Sequence, residues 1–145
     1  MKILTERPPV YDACVAAFPG ADVGHAIFSW GDRIYNLSGR PLTQALLAHE
    51  MVHCARQAEY IGMFPSTTLE ERVTDWWALY LSSPRFRLDE ELIAHAAEYR
   101  VATMGCNRIG RRRWLSQIAH RLAAPLYGRM ISVDEAKRRI LELAA

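Results

Sequence analysis

The feature that most constrains this chain is the run His49-Glu50-Met51-Val52-His53. On a helix, positions i and i+4 differ by about 40° around the axis, so both imidazoles can reach one metal ion. Glu50 then lies on the same side, about 60° from His53, beside the ion without being a ligand. The run therefore predicts a metal site with His49 and His53 as ligands and Glu50 as catalytic base. The alternative is two surface histidines one turn apart beside an incidental glutamate.

The flanking sequence supplies the helix that the motif requires. Thr43 can cap a helix that runs to about Tyr60, with Gly62 as its stop. Before it, two β-rich runs at residues 26–30 and 33–37 flank Gly31-Asp32, a pair typical of a β-hairpin turn. The hairpin is therefore expected beside the motif helix.

The remaining segments read as helices with recognisable ends. The first helix is expected at residues 9–18, and the next begins at a capping box at 67–70 and ends before Ser82-Ser83-Pro84. A further helix is expected from Asp89 to 104–105, and another from Asn107 to an interruption near Pro125 or Gly128. The last helix begins at a second capping box at 132–135. This order predicts an α+β fold, mostly helical, with a small antiparallel β-hairpin. We expect one domain over residues 1–145, with a core at about 23–105 and a basic helical pair at about 107–145.

A third metal ligand is expected from the helix that contains Asp89. Glu91, His95 and Glu98 are spaced i, i+4 and i+7 and share one face. We predict Glu91 as the ligand, with His95 or Glu98 as supporting groups and Glu98 contributing least. His95 as ligand, giving a three-histidine site, stays an alternative, as do Glu71 and Asp75 on the preceding helix.

The role expected of each residue near the motif depends on its position around the helix. Gln57 extends the histidine face by one turn and either orients a ligand or substrate or is a structural amide. Cys54 lies about 100° from His53 and is a poor ligand for the same ion. The aromatic cluster of Trp76, Trp77 and Tyr80 is typical of a core.

The predicted chemistry is zinc-dependent hydrolysis. Two imidazoles and a carboxylate suit Zn²⁺, and a catalytic zinc site keeps one position open for water. In the expected reaction Glu50 activates the zinc-bound water for attack on a peptide-type carbonyl. Zinc is thus the expected cofactor.

Composition limits the setting of the protein. The 145 residues are 50% hydrophobic, which suffices for a single core. The sequence predicts neither a transmembrane helix nor a secretory signal, and its three scattered cysteines are typical of reduced thiols. These features favour the cytoplasm.

The charge is unevenly distributed. Residues 1–99 carry 8 Lys/Arg and 13 Asp/Glu, whereas residues 100–145 carry 10 Lys/Arg and 3 Asp/Glu. The basic side chains of the C-terminal region are grouped mainly at Arg108, Arg111, Arg112, Arg113, Lys137, Arg138 and Arg139. They form either a solvated face or a docking surface for an acidic partner or virion component. Nucleic acid is disfavoured because no aromatic residues interleave with the arginines.

Four segments resemble small metallopeptidases encoded by tailed bacteriophages and prophages, and more broadly the gluzincins, the zincins whose third ligand is glutamate. They are residues 34–36, 49–57, 76–81 and 86–92. The resemblance implies a zincin fold, Glu91 as third ligand, and a strand before the motif helix that edges the cleft and pairs with an extended substrate. It implies a bacterial host cytoplasm or a virion as location. The chain departs from the expected pattern at His95, in place of an aromatic residue, and at Glu98, in place of an amide.

Three functions therefore remain open from the sequence. The first is a peptidase acting on a peptide or peptidoglycan-type substrate. The second is a non-catalytic virion or assembly protein that retains the zincin fold and metal site. The third is a nucleic-acid-binding accessory protein that uses the arginine cluster.

Overall fold

The computed structural model describes residues 1–63 and 68–145. The fold is α+β and mostly helical, as predicted. The strands are β1 (Lys2–Leu4), β2 (Ile27–Trp30) and β3 (Arg33–Asn36). The helices are α1 (Tyr11–Ala17), α2 (Gln44–Glu59), α3 (Leu69–Ser82), α4 (Pro84–Ala102), α5 (Arg108–Leu122) and α6 (Val133–Ala144). The described residues also form 3₁₀ turns at Val23–His25 and Pro125–Tyr127.

The predicted hairpin is present and forms part of a three-stranded mixed sheet. β2 and β3 pair antiparallel, with Trp30 opposite Arg33, and Gly31 in the turn has φ +60°. A two-residue hairpin turn requires such left-handed backbone, which glycine adopts without steric cost. β1 adds in parallel on the other side of β3 and was not predicted. Its three residues are mostly exposed, so they show no alternation of buried and exposed positions.

Most helix ends lie close to their predicted positions. The Thr43 side chain accepts a hydrogen bond from the amide of Leu46 and caps α2, which ends at Glu59, before Gly62. A capping box opens α3 at Thr68 with Glu71, whereas Thr67, the start of the predicted box, lies outside the described residues.

The predicted start of α4 at Asp89 is wrong by one and a half turns. The helix begins at Pro84, because the Ser83 side chain accepts a hydrogen bond from the amide of Phe86 and acts as its cap. Proline is suited to the first helical position, where its missing N–H leaves no bond unmade. Pro84 therefore starts α4, whereas the sequence prediction treats it only as the end of the preceding helix.

Helix α4 is the central element of the fold. It packs against α2, α3, α5 and α6. One apolar core lies between α1, the sheet and α3, and a second lies between α4, α5 and α6. The polar face shared by α2 and α4 lies between these cores, and it carries the predicted site.

Candidate metal centre

The motif lies in the middle of α2 and faces the protein interior. His49, Glu50 and His53 are all buried, with 4–5% of each residue exposed. The Nε2 atoms of His49 and His53 are 3.1 Å apart. Two solvated surface histidines would not be buried in this way, so the alternative of an incidental surface motif does not fit the structure.

Glu91 on α4 contacts the two histidines. Its Oε2 atom lies 3.5 Å from His49 Nε2, and its Oε1 atom lies 3.3 Å from His53 Nε2. Ligands bound to zinc at about 2.0–2.2 Å in a tetrahedron are separated from one another by roughly 3.3–3.6 Å. The two histidine Nε2 atoms, 3.1 Å apart, are close to that separation, and each lies 3.3–3.5 Å from a different oxygen of the Glu91 carboxylate. The donor set therefore fits a zinc ion.

His95 extends the same cluster. Its Nε2 atom lies 3.6 Å from Glu91 Oε2, and its ring centroid lies 4.5 Å from that of His49 in an edge-to-face arrangement. One nitrogen or oxygen from each of His49, Glu91 and His95 falls within 4.8 Å of the others. His53 Nε2, 3.3 Å from Glu91 Oε1, is at least as close to Glu91 as either of the other two histidines.

Glu98 lies behind the two imidazoles that flank Glu91. Its Oε2 atom is 3.1 Å from His95 Nδ1 and 3.5 Å from His49 Nδ1, and its other oxygen accepts a hydrogen bond from Arg121. The 3.1 Å contact is a hydrogen bond, whereas 3.5 Å to His49 is an ion-pair distance. A proton held on His95 Nδ1 by this carboxylate leaves Nε2 as a lone pair that faces Glu91.

Buried polar atoms without a partner are concentrated at this cluster. Among the described residues, five buried side-chain nitrogen or oxygen atoms have no hydrogen-bond partner, and four of them belong to the cluster: His49 Nδ1, His53 Nδ1, Glu91 Oε2 and His95 Nε2. A buried polar atom without a partner typically costs about 1–3 kcal/mol. Glu91 Oε2 and His95 Nε2, both of which face the cluster, are the kind of donors that a cation satisfies.

The electrostatics of the cluster also favour a cation. Burial lowers the pKa of His49, but its contacts with Glu91 and Glu98 outweigh that effect and raise the pKa to about 10. Burial together with the neighbouring His49 charge lowers the pKa of His95 to about 4. Burial raises the pKa of Glu91, yet the charges of His53 and His49 hold it well below its usual range. The two buried carboxylates, Glu91 and Glu98, therefore favour a positive charge at the position of His49.

Glu50 lies beside this cluster rather than in it. The Ser29 hydroxyl, on β2, lies 2.5 Å from Glu50 Oε2 and 3.0 Å from the Glu50 backbone oxygen. One hydroxyl proton serves one strong hydrogen bond, and the shorter contact is to the carboxylate. Burial raises the pKa of Glu50, opposed by the charges of His49 and His53. A raised pKa suits a carboxylate that exchanges protons near neutral pH.

Gln57 has a structural role in this arrangement. Its Oε1 atom accepts a 2.7 Å hydrogen bond from the amide of Gly31, and its Nε2 atom donates at 3.0 Å to the carbonyl of Ser29. Both polar ends of the side chain are thus used on the hairpin. The structural amide is the alternative that the geometry supports, and Gln57 is not among the metal donors.

The weaker ligand candidates lie elsewhere. Glu71 and Asp75 are exposed on α3, and Glu71 caps that helix. Burial raises the pKa of Cys54 to about 11 and that of Cys14 to about 12. Both thiols therefore stay protonated near neutral pH, which makes them poor nucleophiles.

Several side chains at the site were not predicted to act there. The Tyr80 hydroxyl donates a 2.6 Å hydrogen bond to Glu91 Oε1, the Trp76 ring packs edge-to-face against His53, and the Tyr127 ring packs against His95. Ser29 and Arg121 hold Glu50 and Glu98. The sequence carries no local signal for these roles, since each depends on a contact between separate elements. Trp76, Trp77 and Tyr80 do belong to the core, as predicted.

The expected role of the strand before α2 is not supported by the sheet topology. That strand, β3, is the central one, and both of its edges are paired with β1 and β2. The strand that contacts the motif helix is β2, through Ser29. At Ser29 its carbonyl already accepts hydrogen bonds from Gln57 and Trp77. An extended substrate therefore cannot pair with β3, and this part of the β2 edge is covered.

The basic C-terminal region forms a separate exposed surface. Arg108, Arg111, Arg112 and Arg113 are exposed along the first turns of α5, which has no acidic residue in its first turn. Arg138 instead pairs with Glu135 and Glu142 on α6. Docking of an acidic partner or virion component to the four arginines stays a prediction.

Comparison of the chain with protein-family models, with curated proteins and with solved structures finds no match. Among the described residues, no helix is long and apolar enough to cross a membrane.

Proposed function

We propose that the protein is a zinc-dependent hydrolase that acts on peptide bonds, with His49, His53 and Glu91 as metal ligands and Glu50 as general base. The observation that carries this proposal is the burial of the three side chains in one cluster, in which the two histidine Nε2 atoms are 3.1 Å apart and each lies 3.3–3.5 Å from an oxygen of Glu91. A bound zinc ion polarises a carbonyl group and makes a water molecule more acidic.

The residues of the chain have distinct tasks in this proposal. Glu50 accepts the proton of the attacking water and passes it to the leaving amine, the usual work of a buried carboxylate with a raised pKa. Ser29 fixes the direction of that carboxylate. Tyr80 donates a hydrogen bond to one oxygen of Glu91, and Glu98 lies 3.5 Å from Nδ1 of His49, so two of the three proposed ligands are oriented before the metal binds. The location proposed with this function is the cytoplasm of a bacterial host or a virion.

The test combines metal content with turnover. Protein purified without chelator is analysed for zinc and then assayed on a peptide mixture, alongside Glu50→Gln and His49→Ala. We expect about one zinc per chain in the wild type and in Glu50→Gln, and none in His49→Ala. Turnover should fall by roughly 10²–10⁴ in Glu50→Gln, because the base is lost and the metal is kept. Wild-type cleavage rates in Glu50→Gln would contradict the mechanism.

A non-catalytic virion or assembly protein is the second candidate, and His95 is the observation that favours it. With His95 Nε2 3.6 Å from Glu91, the cluster offers a fourth donor. Four protein ligands close a zinc site and leave it structural, whereas three leave a position for chemistry. A zinc-loaded wild type that cleaves no peptide, and that unfolds when zinc is removed, would support this candidate over the hydrolase.

A further inference from the structure

A cavity of about 290 Å³ opens directly over the candidate centre. Glu50 and the candidate ligands line one part of it, so a group that enters the cavity reaches the reacting atoms. Its volume is at the low end of the range of about 300–1,000 Å³ for small-molecule sites. The space therefore suits one large side chain beside the scissile bond rather than a whole folded ligand.

Part of the cavity lining, called the apolar wall below, consists of apolar side chains. It is contributed by α1, the turn after it, β2, the first part of α2 and the turn after α5, through Cys14, Phe18, Val23, Phe28, Leu46 and Leu126. An aliphatic or aromatic substrate side chain that packs against this wall removes apolar surface of both the protein and the substrate from water. The wall therefore favours such a side chain.

The charged groups near the cavity already have partners. Apart from the histidines of the candidate centre, the described basic residues that line it are His25 and Arg121. His25 contacts Asp22 at 2.6 Å, and Arg121 is bonded to Glu98. A charged substrate side chain entering here would lose its hydration without gaining a free counter-charge.

We infer that the substrate is a polypeptide with a large apolar residue, such as Leu, Met or Phe, next to the scissile bond. This inference rests on the proposed peptidase function and narrows its substrate class. It disfavours a peptidoglycan cross-link, because the small alanine-type and charged diamino-acid side chains of that polymer would leave the apolar wall unfilled. One methylene group in an apolar pocket typically changes kcat/KM by about 10–200-fold.

The first experiment is cleavage of a random peptide mixture by the zinc-loaded wild type, with the cut sites identified by mass spectrometry. We expect cut sites at which one flanking position is occupied by large apolar residues, preferred over Ala or Ser by at least about 100-fold in kcat/KM. Cleavage without such a preference would overturn the substrate inference and leave the peptidase proposal standing. No cleavage of any peptide would overturn both.

Variants of the cavity wall make the test specific. Leu46→Arg places a cation in the apolar wall and should move the substrate preference toward acidic residues. The matched control is Met51→Arg, which lies on the same helix but is 54% exposed and does not line the cavity. This control should keep the wild-type preference. Ala26→Leu narrows the cavity and should shift the preference toward smaller side chains, which covers the case that Leu46→Arg does not fold. An unchanged preference in both folded wall variants would overturn the inference.

Binding gives a second readout that does not depend on turnover. In the Glu50→Gln variant the preferred peptide should bind more tightly than the same peptide with Ala at the selected position. Trp76 and Trp77 line the cavity, so their fluorescence reports this binding. Equal affinity for the two peptides would contradict the assigned pocket.

Discussion

The Ser29 hydroxyl donates a 2.5 Å hydrogen bond to Oε2 of Glu50 and so joins strand β2 to the motif helix. The contact favours the charged carboxylate and thereby opposes the effect of burial on its pKa. The hairpin therefore acts on the proposed general base through this single side chain.

Ser29→Ala should lower kcat while zinc stays bound. A hydrogen bond to a charged group contributes about 1.5–3 kcal/mol, which corresponds to roughly 10–150-fold in rate if all of it is expressed in turnover. Losing the bond raises the pKa of Glu50, so the acid limb of the pH–rate profile should move to higher pH. The profile of Ser29→Ala is compared with that of Ser116→Ala on α5, which should match the wild type. An unshifted acid limb would show that Ser29 does not affect the pKa of the base Glu50.

Glu91→Ala should abolish tight zinc binding and activity together. His95→Ala should reduce activity and keep most of the zinc, because His49, His53 and Glu91 remain in place. Zinc content by elemental analysis, measured after dialysis against a weak chelator, distinguishes the two variants. Loss of zinc in His95→Ala with retention in Glu91→Ala would assign the third ligand to His95 instead.

Glu98→Gln should weaken zinc binding by about 10–100-fold, the usual effect of removing a carboxylate that orients a ligating histidine, because Glu98 Oε2 lies 3.5 Å from Nδ1 of the proposed ligand His49. The structure thus gives Glu98 a larger role than the sequence alone does, since it is 1% exposed and contacts His95, His49 and Arg121. Competition with a zinc indicator measures the affinity. The matched control is Glu142→Gln, which alters an exposed pair on α6; equal affinities in the two variants would remove Glu98 from the site.

The stability of the zinc-free protein should fall as pH rises from about 6.5 to 10. Burial lowers the pKa of His49, but its contacts with Glu91 and Glu98 raise the net value to about 10, above its unfolded value of 6.5. A group whose pKa is higher in the folded than in the unfolded state contributes its full stabilisation of the fold below the unfolded pKa. The fold loses that stabilisation as the pH rises through the folded pKa. Melting temperatures of chelator-treated wild type and His49→Gln are compared over this range. A fall equally steep in His49→Gln would exclude His49 as its origin.

Gln57→Leu should destabilise the fold and leave zinc bound. The substitution leaves the amide of Gly31 without its side-chain acceptor, at a cost of about 1–3 kcal/mol. Urea unfolding measures the change in free energy, and elemental analysis measures the zinc. Loss of zinc without loss of stability would instead make Gln57 part of the metal site.

The local elements follow directly from the sequence. Thr43 caps α2 because its hydroxyl satisfies an amide of the first turn, and the i, i+4 spacing then places His49 and His53 on one face whatever surrounds the helix. The Gly31-Asp32 pair similarly fixes the hairpin. The residues that determine these features are close to one another in the chain, so the sequence alone is enough to predict them.

Tertiary packing decided the rest of the site. The i, i+4, i+7 spacing places Glu91, His95 and Glu98 on one face but does not rank them. The approach of α4 to α2 brings Glu91 to the Nε2 atoms of His49 and His53 and brings Glu98 to Nδ1 of His49. Ser29 and Arg121 reach the centre from other elements. β1 joins the sheet through backbone pairing that its side chains do not signal. In each case the deciding contact joins residues far apart in the chain, and its energy depends on burial that exists only after folding.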